Sequence, residues 1–276
     1  FGTEVSIREK LESKGCQFVD TTCGDVMSVW KRVRTYAKEN VTSIIHGKAS
    51  HEETMATSSQ AIAKNGHYLV VNTFEETDIV CNYIINGGDK TSFLRRFEGS
   101  HSEGFNPDVH LKAVGVANQT TMMRGETEEV QRRIRTAIEE RYGTVNVDAH
   151  FRFFDTICGA TQDRQDALAK MLKKPMDLLL VIGGYNSSNT SHLAEMGESI
   201  LPTYFIKNAG EINGLESIRH WNQHLSKAEE TKKWLPEKSV TVGLTAGASC
   251  PNNLIEDVIC RLLELRGSSA EEFLRS

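Results

Sequence analysis

The sequence has 276 residues, of which 39% are hydrophobic and 25% are charged, and its formal net charge at pH 7 is −5. These values are ordinary for a globular protein, and the scattered lysine and arginine residues lack the basic patch that is typical of nucleic-acid-binding proteins. The longest apolar run, MDLLLVIGG, is far shorter than the roughly 20 residues of a membrane span. We therefore expect no nucleic-acid partner and no membrane segment.

The first predicted elements lie on either side of Cys23. Residues 1–23 contain IREKLESKGCQFVD, which is typical of the last helix and strand of an α/β unit. Apolar residues then recur at helical spacing, which predicts a helix with one buried face. These residues are Val26, Trp30, Val33 and Ala37. The segment TSIIHGKASHEET predicts a strand that leads into a glycine turn.

The middle of the chain predicts an insertion, a strand and a long helix. Residues 72–113 are interpreted as a loop-rich insertion, and AVGVANQTT follows as a strand with a polar end. A helix with Val130, Ile134 and Ile138 on its buried face is expected to end at Gly143, a residue suited to a left-handed cap.

The last third of the sequence repeats the order of motifs in the first part. FVDTTCGDV (18–26) nearly recurs as FFDTICGAT (153–161), and DLLLVIGGYNSSNTS and TVGLTAGAS then follow in the same order as the earlier strand segments. Such self-similarity predicts an internal duplication. Residues 219–238 are charged and predicted to be a solvated helix, and a final helix is expected between Pro251 and Gly267.

The alternation of strands and helices predicts an α/β fold of pseudo-symmetric, repeated α/β units with mainly parallel sheets. By this interpretation residues 1–23 are the end of a truncated first unit that is mostly absent. Residues 24–147 form a second unit, and residues 148–276 form a third unit with a C-terminal tail.

Polar side chains follow the predicted strands at the edge where parallel sheets bind ligands, beyond the carboxyl ends of the strands. The two repeats contribute equal numbers of such residues. They are Cys23, His51, Glu53, Thr120 and Thr121 in the first repeat, and Cys158, Ser187, Ser188, Asn189 and Ser249 in the second. If the two repeats face each other, these side chains converge on one crevice.

The repeated cysteines, Cys23 and Cys158, are either buried fillers or ligands of a shared metal or cluster. A thiolate at a helix N-terminus is a good metal ligand, which favours the second interpretation. Zinc is the weaker candidate because no Cys-x-x-Cys or His-Glu-x-x-His motif is present, whereas an iron-sulfur cluster with widely spaced cysteines is allowed. Two cysteines are too few for either site, so a third is expected upstream of residue 1.

The segment GGYNSSNTS combines glycine, serine and asparagine after a strand, which suits a phosphate or diphosphate group, and Ser249 adds a hydroxyl at another helix start. The alternative is an ordinary loop with capping serines. His51 and Glu53 are either solvated surface residues or a proton-transferring pair, since a buried glutamate with a raised pKa can act as an acid near neutral pH.

Six motifs together resemble the LytB/IspH family of 4-hydroxy-3-methylbut-2-enyl diphosphate reductases, which catalyse the last step of the methylerythritol phosphate route to isoprenoids. The motifs, spread between Phe1 and Gly267, are DTTC, HGKASHEET, ANQTTM, DTICGATQDRQ, GGYNSSNTS and TAGASCP. The segment GFNPDVHLKAVGVANQTTM looks most like the plant and cyanobacterial branch. The resemblance implies a trefoil-like arrangement of the units around a central cluster site.

The resemblance also implies a role for each polar residue. Cys23 and Cys158 match two of the three cysteines that hold a [4Fe-4S] cluster in this family. Glu53 matches the acid that delivers protons. The matches to substrate-binding residues are His51, Thr120 and Thr121 near the reacting end, and Ser187, Ser188, Asn189 and Ser249 around the diphosphate.

The implied partners are an allylic diphosphate substrate and a ferredoxin- or flavodoxin-like electron donor, with products isopentenyl diphosphate and dimethylallyl diphosphate. We expect a monomer or homodimer. The six dispersed cysteines favour a reducing compartment, either bacterial cytoplasm or plastid stroma.

Two departures from the family pattern matter: the first cluster cysteine precedes this region, and Phe1 stands where many bacterial members have a histidine. The alternative function is therefore a truncated, catalytically inactive diphosphate-binding or interaction module.

Overall fold

The computed structural model describes residues 2–154 and 159–268. The chain divides into two compact units, Phe1–Cys158 (unit 1) and Gly159–Ser276 (unit 2). Both units combine helices with parallel strands, which confirms the predicted mixed α/β class. No helix within the described ranges is long and apolar enough to cross a membrane. The unit boundaries proposed from the repeated motifs, at residues 23 and 147, stay predictions.

Unit 1 is built on a four-stranded sheet in which every strand pair is parallel, in the order β2-β1-β3-β4. Its strands are β1 (Thr42–His46), β2 (Tyr68–Val71), β3 (Val114–Asn118) and β4 (Phe151–Phe153). Its helices are α1 (Val5–Ser13), α2 (Gly24–Lys38), α3 (Glu52–Ile62), α4 (Phe74–Asn86), α5 (Lys90–Arg96), α6 (Pro107–His110), α7 (Arg124–Tyr142) and α8 (Val147–His150), with a 3₁₀ turn at Thr144–Asn146.

The central strands β1 and β3 are buried along their whole length, as expected for a parallel sheet that is covered on both faces. Helix α2 packs on this sheet through Tyr36, whose hydroxyl donates to the carbonyl oxygen of Val116 at 3.2 Å. Gly115 of β3 allows this approach, because a Cβ atom there would lie 2.6 Å from the Tyr36 ring. Helices α4 and α7 pack against each other on the core that contains Val80 and Ile134.

Strand β2 lies at the edge of the sheet, and residues 100–102 run antiparallel along its outer side. Leu69 forms an isolated bridge with His101. The amide of Val70 donates to the carbonyl of Ser100 at 2.7 Å. The ring of His67, just before β2, stacks on His110 with 3.7 Å between centroids.

The predicted loop-rich insertion at residues 72–113 is wrong, because this segment contains α4, α5 and α6. Each helix begins after a side chain that accepts hydrogen bonds from the first backbone amides: Thr73, Asp89 and Asn106. Such N-caps satisfy donors that a short helix otherwise leaves free. Apolar residues including Val80 and Phe93 then fix the segment to the core.

Unit 2 is built on a three-stranded parallel sheet in the order β6-β5-β9, with a separate antiparallel hairpin of β7 and β8. The strands are β5 (Leu178–Ile182), β6 (Thr203–Ile206), β7 (Ser217–Asn222), β8 (Lys227–Lys232) and β9 (Val242–Ala246). The helices are α9 (Gly159–Met171), α10 (Ser188–Glu198) and α11 (Asn252–Leu265), with a 3₁₀ turn at Ala209–Glu211.

The two units share a strand order and a register, in agreement with the repeated sequence motifs. Strand β1 lies between β2 and β3 as β5 lies between β6 and β9. The second residue of each central strand pairs with a glycine: Ser43 with Gly115, and Leu179 with Gly243. The polar turns that follow these strands therefore occupy equivalent places in the two sheets.

The predicted helix at residues 219–238 is wrong, because most of this segment belongs to the β7–β8 hairpin. The charged composition of this segment favours a helix, but two features oppose one. Ser226 adopts a left-handed backbone conformation with φ of 49°, which closes the turn. Ile218, directly before the segment, is fully buried in β7, and the Trp221 ring packs on Tyr185.

The other predicted helices are present, and two of them have the predicted residues at their ends. Helix α7 ends before Gly143, which has φ of 82°, and α11 begins directly after Pro251, with Gly267 beyond its end at φ of 70°. Helix α2 buries the predicted apolar face. The strand expected before Cys23 is not formed: residues 16–23 belong to no strand of the described part of unit 1, although α1 is present.

Candidate active site

Helix α3 carries two of the predicted site residues in its first turn, just after β1. His51 is the N-cap of this helix, and its Nδ1 accepts the backbone N–H of Glu53 at 3.2 Å. Because Nδ1 is an acceptor here, the neutral ring carries its proton on Nε2. Burial lowers the pKa of His51, and the charge of Glu52 opposes this shift. The ring is therefore neutral at pH 7, with its N–H on Nε2.

Glu53 is a buried carboxyl with only 1% of its surface exposed. Its Oε1 accepts the backbone N–H of Thr120 at 2.5 Å, while Oε2 has no hydrogen-bond partner among the described residues. Burial raises the pKa of Glu53 above its ordinary value, and hydrogen bonds from Thr120 act in the opposite direction. A carboxyl in this state can hold a proton on its unpaired oxygen and donate it to a bound group.

Gln119 connects the turns after β1 and β3, and it is a site residue that was not predicted from the sequence. Its Oε1 accepts hydrogen bonds from the backbone N–H of Lys48 and from Thr54 Oγ1, both at 3.1 Å. Its Nε2 donates to Thr121 Oγ1 at 2.7 Å. The signal was its place in the ANQTT segment, directly before Thr120 and two positions before Thr121.

Gly47 permits the Gln119 contacts, because a Cβ atom at this position would lie 2.8 Å from Gln119 Cβ. Such a distance is shorter than real Cβ contacts, so a side chain here would push Gln119 away. The glycine turn and Gln119 together hold His51, Glu53, Thr120 and Thr121 at one edge of the unit 1 sheet.

Cys23 lies at the N-cap of the 15-residue helix α2, and its side chain is exposed and makes no capping hydrogen bond. The donor N–H groups of a helix N-terminus favour an anionic sulfur ligand at this position. Trp30 Nε1 donates to Thr57 Oγ1 at 3.2 Å and so ties α2 to α3. Cys158 lies outside the described residues. Within those residues, no group of three or more His, Cys, Asp or Glu side chains could hold a metal ion.

The predicted diphosphate residues of unit 2 lie at the ends of β5 and β9, which are neighbouring strands. Ser187 is the N-cap of α10, and its Oγ accepts hydrogen bonds from the backbone N–H of Thr190 at 3.4 Å and from Thr190 Oγ1 at 3.0 Å. Ser188 and Asn189 form the first turn of this helix. Ser249 is exposed in the loop after β9, and the loops are in close contact because a Cβ atom on Gly247 would collide with Thr190.

Asn189, in the first turn of α10, is a buried polar side chain whose unpaired atoms indicate a ligand site. Its side chain is 2% exposed, and neither its amide nitrogen nor its amide oxygen has a hydrogen-bond partner within the described ranges. An unpaired buried amide is destabilising by about 1 to 3 kcal/mol, so such groups normally find a partner. A polar ligand at the N-terminus of α10 would supply it, and the helix end favours an anion.

One cavity of unit 1 lies away from these residues. It has a volume of about 500 Å³ and is lined by α1, α3 and β2, with Val5, Met55, Ile62 and Tyr68 among its walls. None of the predicted site residues lines it, so its size does not mark the reactive site.

The comparisons with known proteins agree with the sequence motifs. The family described as LytB protein matches residues 1–263. A 4-hydroxy-3-methylbut-2-enyl diphosphate reductase from Gloeobacter violaceus is 48% identical over 268 residues, which cover 97% of this chain and 63% of that protein. A reductase of the same name from Gloeothece citriformis is 46% identical over 272 residues, covering 98% of this chain and 66% of that protein.

Two solved structures share the fold. A structure titled as (E)-4-hydroxy-3-methyl-but-2-enyl diphosphate reductase gives a TM-score of 0.51 at 26% identity and covers 95% of this chain and 73% of that one. A Plasmodium falciparum reductase structure gives a TM-score of 0.63 at 22% identity, over 95% and 64% of the two chains. The chain spans somewhat less than two thirds of the length of the curated relatives it matches. By both its family match and its relatives, the chain belongs to the LytB family.

Proposed function

We propose that this protein reduces 4-hydroxy-3-methylbut-2-enyl diphosphate to isopentenyl diphosphate and dimethylallyl diphosphate, the last step of the methylerythritol phosphate pathway. Family membership supports the proposal, and so does the name of the cyanobacterial relatives. The reaction takes up two electrons and two protons, breaks one C–O bond, forms one C–H bond and releases water. A ferredoxin- or flavodoxin-like protein is the proposed electron donor, in bacterial cytoplasm or plastid stroma.

The observation that carries this proposal is the environment of Glu53. The departing hydroxyl needs a proton to leave as water, and burial raises the pKa of the Glu53 carboxyl, which favours the protonated form that can donate one. The Thr120 amide fixes one carboxyl oxygen, which leaves Oε2 to face a reacting group. We assign the proton transfer to Glu53, and substrate contacts to His51 Nε2–H and the hydroxyls of Thr120 and Thr121.

We propose that the α10 turn binds the diphosphate group. Ser187, Ser188 and Asn189 lie at the N-terminus of an 11-residue helix, where backbone N–H groups and the helix dipole attract an anion. Asn189 has two buried amide atoms to offer to a ligand. Ser249 adds a hydroxyl from the neighbouring strand end.

We further propose that Cys23 and Cys158, with a third cysteine expected upstream, hold a [4Fe-4S] cluster. The exposed position of Cys23 at a helix N-terminus fits a thiolate ligand. When bound, such a cluster supplies a Lewis acid for the substrate hydroxyl and a route for electrons.

The test is reductase activity of the anaerobically reconstituted, full-length protein with a chemical reductant. Glu53→Gln should lower kcat at least about a hundredfold, because the amide cannot donate an acidic proton. The matched control is Glu52→Gln, at the exposed neighbouring position, which should keep nearly all activity. Full activity of Glu53→Gln would refute the assignment of Glu53.

The second candidate is a catalytically inactive diphosphate-binding protein. The serine and asparagine turn of α10 lies wholly within unit 2, and it needs no cluster to attract an anion. In the same preparation, diphosphate binding without reductase activity and without the visible absorption of an iron-sulfur cluster would favour this candidate.

A further inference from the structure

Tyr185 lies in the middle of the loop between β5 and α10, and its ring is held on several sides. It stacks on Trp221 of the hairpin with 4.8 Å between centroids and an interplanar angle of 19°. It meets Phe205 of β6 edge to face at 5.2 Å. Its hydroxyl donates to Glu211 Oε1 at 3.3 Å. Burial and the charge of Glu211 raise the pKa of Tyr185 to about 12, so the hydroxyl keeps its proton at neutral pH.

The same hairpin reaches beyond Tyr185 and follows α10. Gln223, in the turn after β7, donates from Nε2 to the carbonyl of Ser191 at 3.1 Å. His224 Nε2 lies 3.8 Å from a carboxylate oxygen of Glu198, the last residue of α10. Three consecutive parts of the hairpin therefore contact the loop, the beginning and the end of this helix.

Backbone hydrogen bonds fix the loop on either side of Tyr185, from Gly183 N–H to the carbonyl of Ile206 and from Ser187 N–H to the carbonyl of Gly184, both at 3.0 Å. The ring of Tyr185 adds a third point of attachment between them. Gly183, with φ of 156°, and Gly184 precede Tyr185, and both Gly184 and Asn186 are exposed. Glycine restricts the backbone least of all residues, so the position of Ser187 depends on what fixes the chain before it. Preorganised hydroxyl and N–H groups bind an anion more tightly than groups that must first be ordered.

We propose that Tyr185 is a positioning residue for the diphosphate-binding turn, held in place by the Trp221 ring of the β7–β8 hairpin. This proposal rests on the proposed function of the α10 turn. Tyr185 orients Ser187 and the first N–H groups of α10 and does not contact the anion. The hairpin, whose sequence is mostly polar, thereby acts on affinity through the contact between Trp221 and Tyr185.

The experiment is isothermal titration of inorganic diphosphate into the full-length protein. Trp221→Ala should raise Kd roughly tenfold, since an aromatic pair and the order that it imposes are lost, and Trp221→Phe should restore Kd to within about twofold of the parent value. In the reductase assay, Trp221→Ala should raise KM by a similar factor and leave kcat nearly unchanged.

The matched control is Trp234→Ala. Trp234 is 4% exposed and packs on Tyr204, which precedes Phe205 in β6 and so faces the other side of the sheet. Its loss should lower the thermal midpoint at least as much as Trp221→Ala, with no change in Kd. Equal weakening of binding by both alanine variants would overturn the proposal, because it would reduce the effect to general destabilisation.

A second variant, Tyr185→Leu, keeps an apolar side chain in the loop and covers the case that Trp221→Ala does not fold. It should also raise Kd roughly tenfold, and an unchanged Kd would overturn the role of Tyr185. If the unmodified protein does not bind inorganic diphosphate, the proposed function of the α10 turn is refuted and the positioning role with it. If the unmodified protein binds inorganic diphosphate and the variants bind it with an unchanged Kd, only the positioning role is refuted.

Discussion

The replacement of Gln119 by leucine is the sharpest test of how the unit 1 site is held together. Leucine has nearly the volume of glutamine, so the substitution removes hydrogen bonds with little change in packing. The change removes the acceptor shared by the Lys48 amide and Thr54 Oγ1, and the donor to Thr121 Oγ1.

The expected loss of stability follows from the surroundings of these partners. Thr54 is fully buried, so its hydroxyl is left without an acceptor, which is destabilising by about 1 to 3 kcal/mol. Lys48 and Thr121 are more exposed and can bond to water, so each loss amounts to about 0.5 to 1 kcal/mol. We expect Gln119→Leu to lower the free energy of unfolding by about 3 kcal/mol.

The assay is urea denaturation followed by far-ultraviolet circular dichroism, with Gln60→Leu as the matched control. Gln60 is also buried in unit 1, but among the described residues its Oε1 accepts a single hydrogen bond, from Arg34 at 2.8 Å. Its replacement should lower the free energy of unfolding by about 1 kcal/mol. If Gln119→Leu is no more destabilising than Gln60→Leu, the contacts of Gln119 do not hold the site.

Three further predictions follow from pKa shifts and close contacts. The pKa of Glu53 is higher in the folded state than in the unfolded state, so its burial destabilises the fold progressively as pH rises through the folded-state pKa. The urea midpoint of Glu53→Gln should therefore fall less between pH 4 and pH 8 than that of the parent protein. Burial lowers the pKa of His67, so below about pH 6.5 the unfolded state binds a proton more readily than the folded state, and the free energy of unfolding falls as pH drops. The fall of the urea midpoint with pH should therefore be shallower in His67→Phe than in the parent protein, and equal slopes in the two proteins would contradict this prediction. Gly247→Ala places a Cβ atom against Thr190, and it should weaken inorganic diphosphate binding by about fivefold or more in titration calorimetry, whereas an unchanged Kd would show that this turn tolerates displacement.

The features that the sequence predicted correctly depend on local chemistry. Helix α7 ends at Gly143 because a left-handed residue is easiest for glycine, and α11 starts after Pro251 because a proline lacks the N–H that the first turn cannot use. Polar residues after parallel strands collect at one sheet edge by geometry alone. The sequence therefore predicts His51 and Glu53 close to Thr120 without any knowledge of their distances.

The features that could not be predicted from the sequence depend on contacts between distant segments. The acceptor role of Gln119 requires Lys48 and Thr54, which are more than sixty positions away in the chain. The β7–β8 hairpin has the composition of a solvated helix, and what fixes it as a hairpin is the left-handed Ser226 and the Tyr185 ring against Trp221. Neither contact leaves a periodic signal in the sequence, so composition and periodicity could not reveal them.

The segment at residues 100–102 has a consequence for self-association. Strand β2, with the sequence YLVV, is an apolar edge strand, and an uncovered edge of this kind is a template for pairing with another chain. The bridge from Leu69 to His101 occupies that edge, and His67 Nδ1 lies 2.9 Å from Ser102 Oγ. Loss of this cover would therefore first be seen as concentration-dependent light scattering, before the secondary structure of unit 1 is lost.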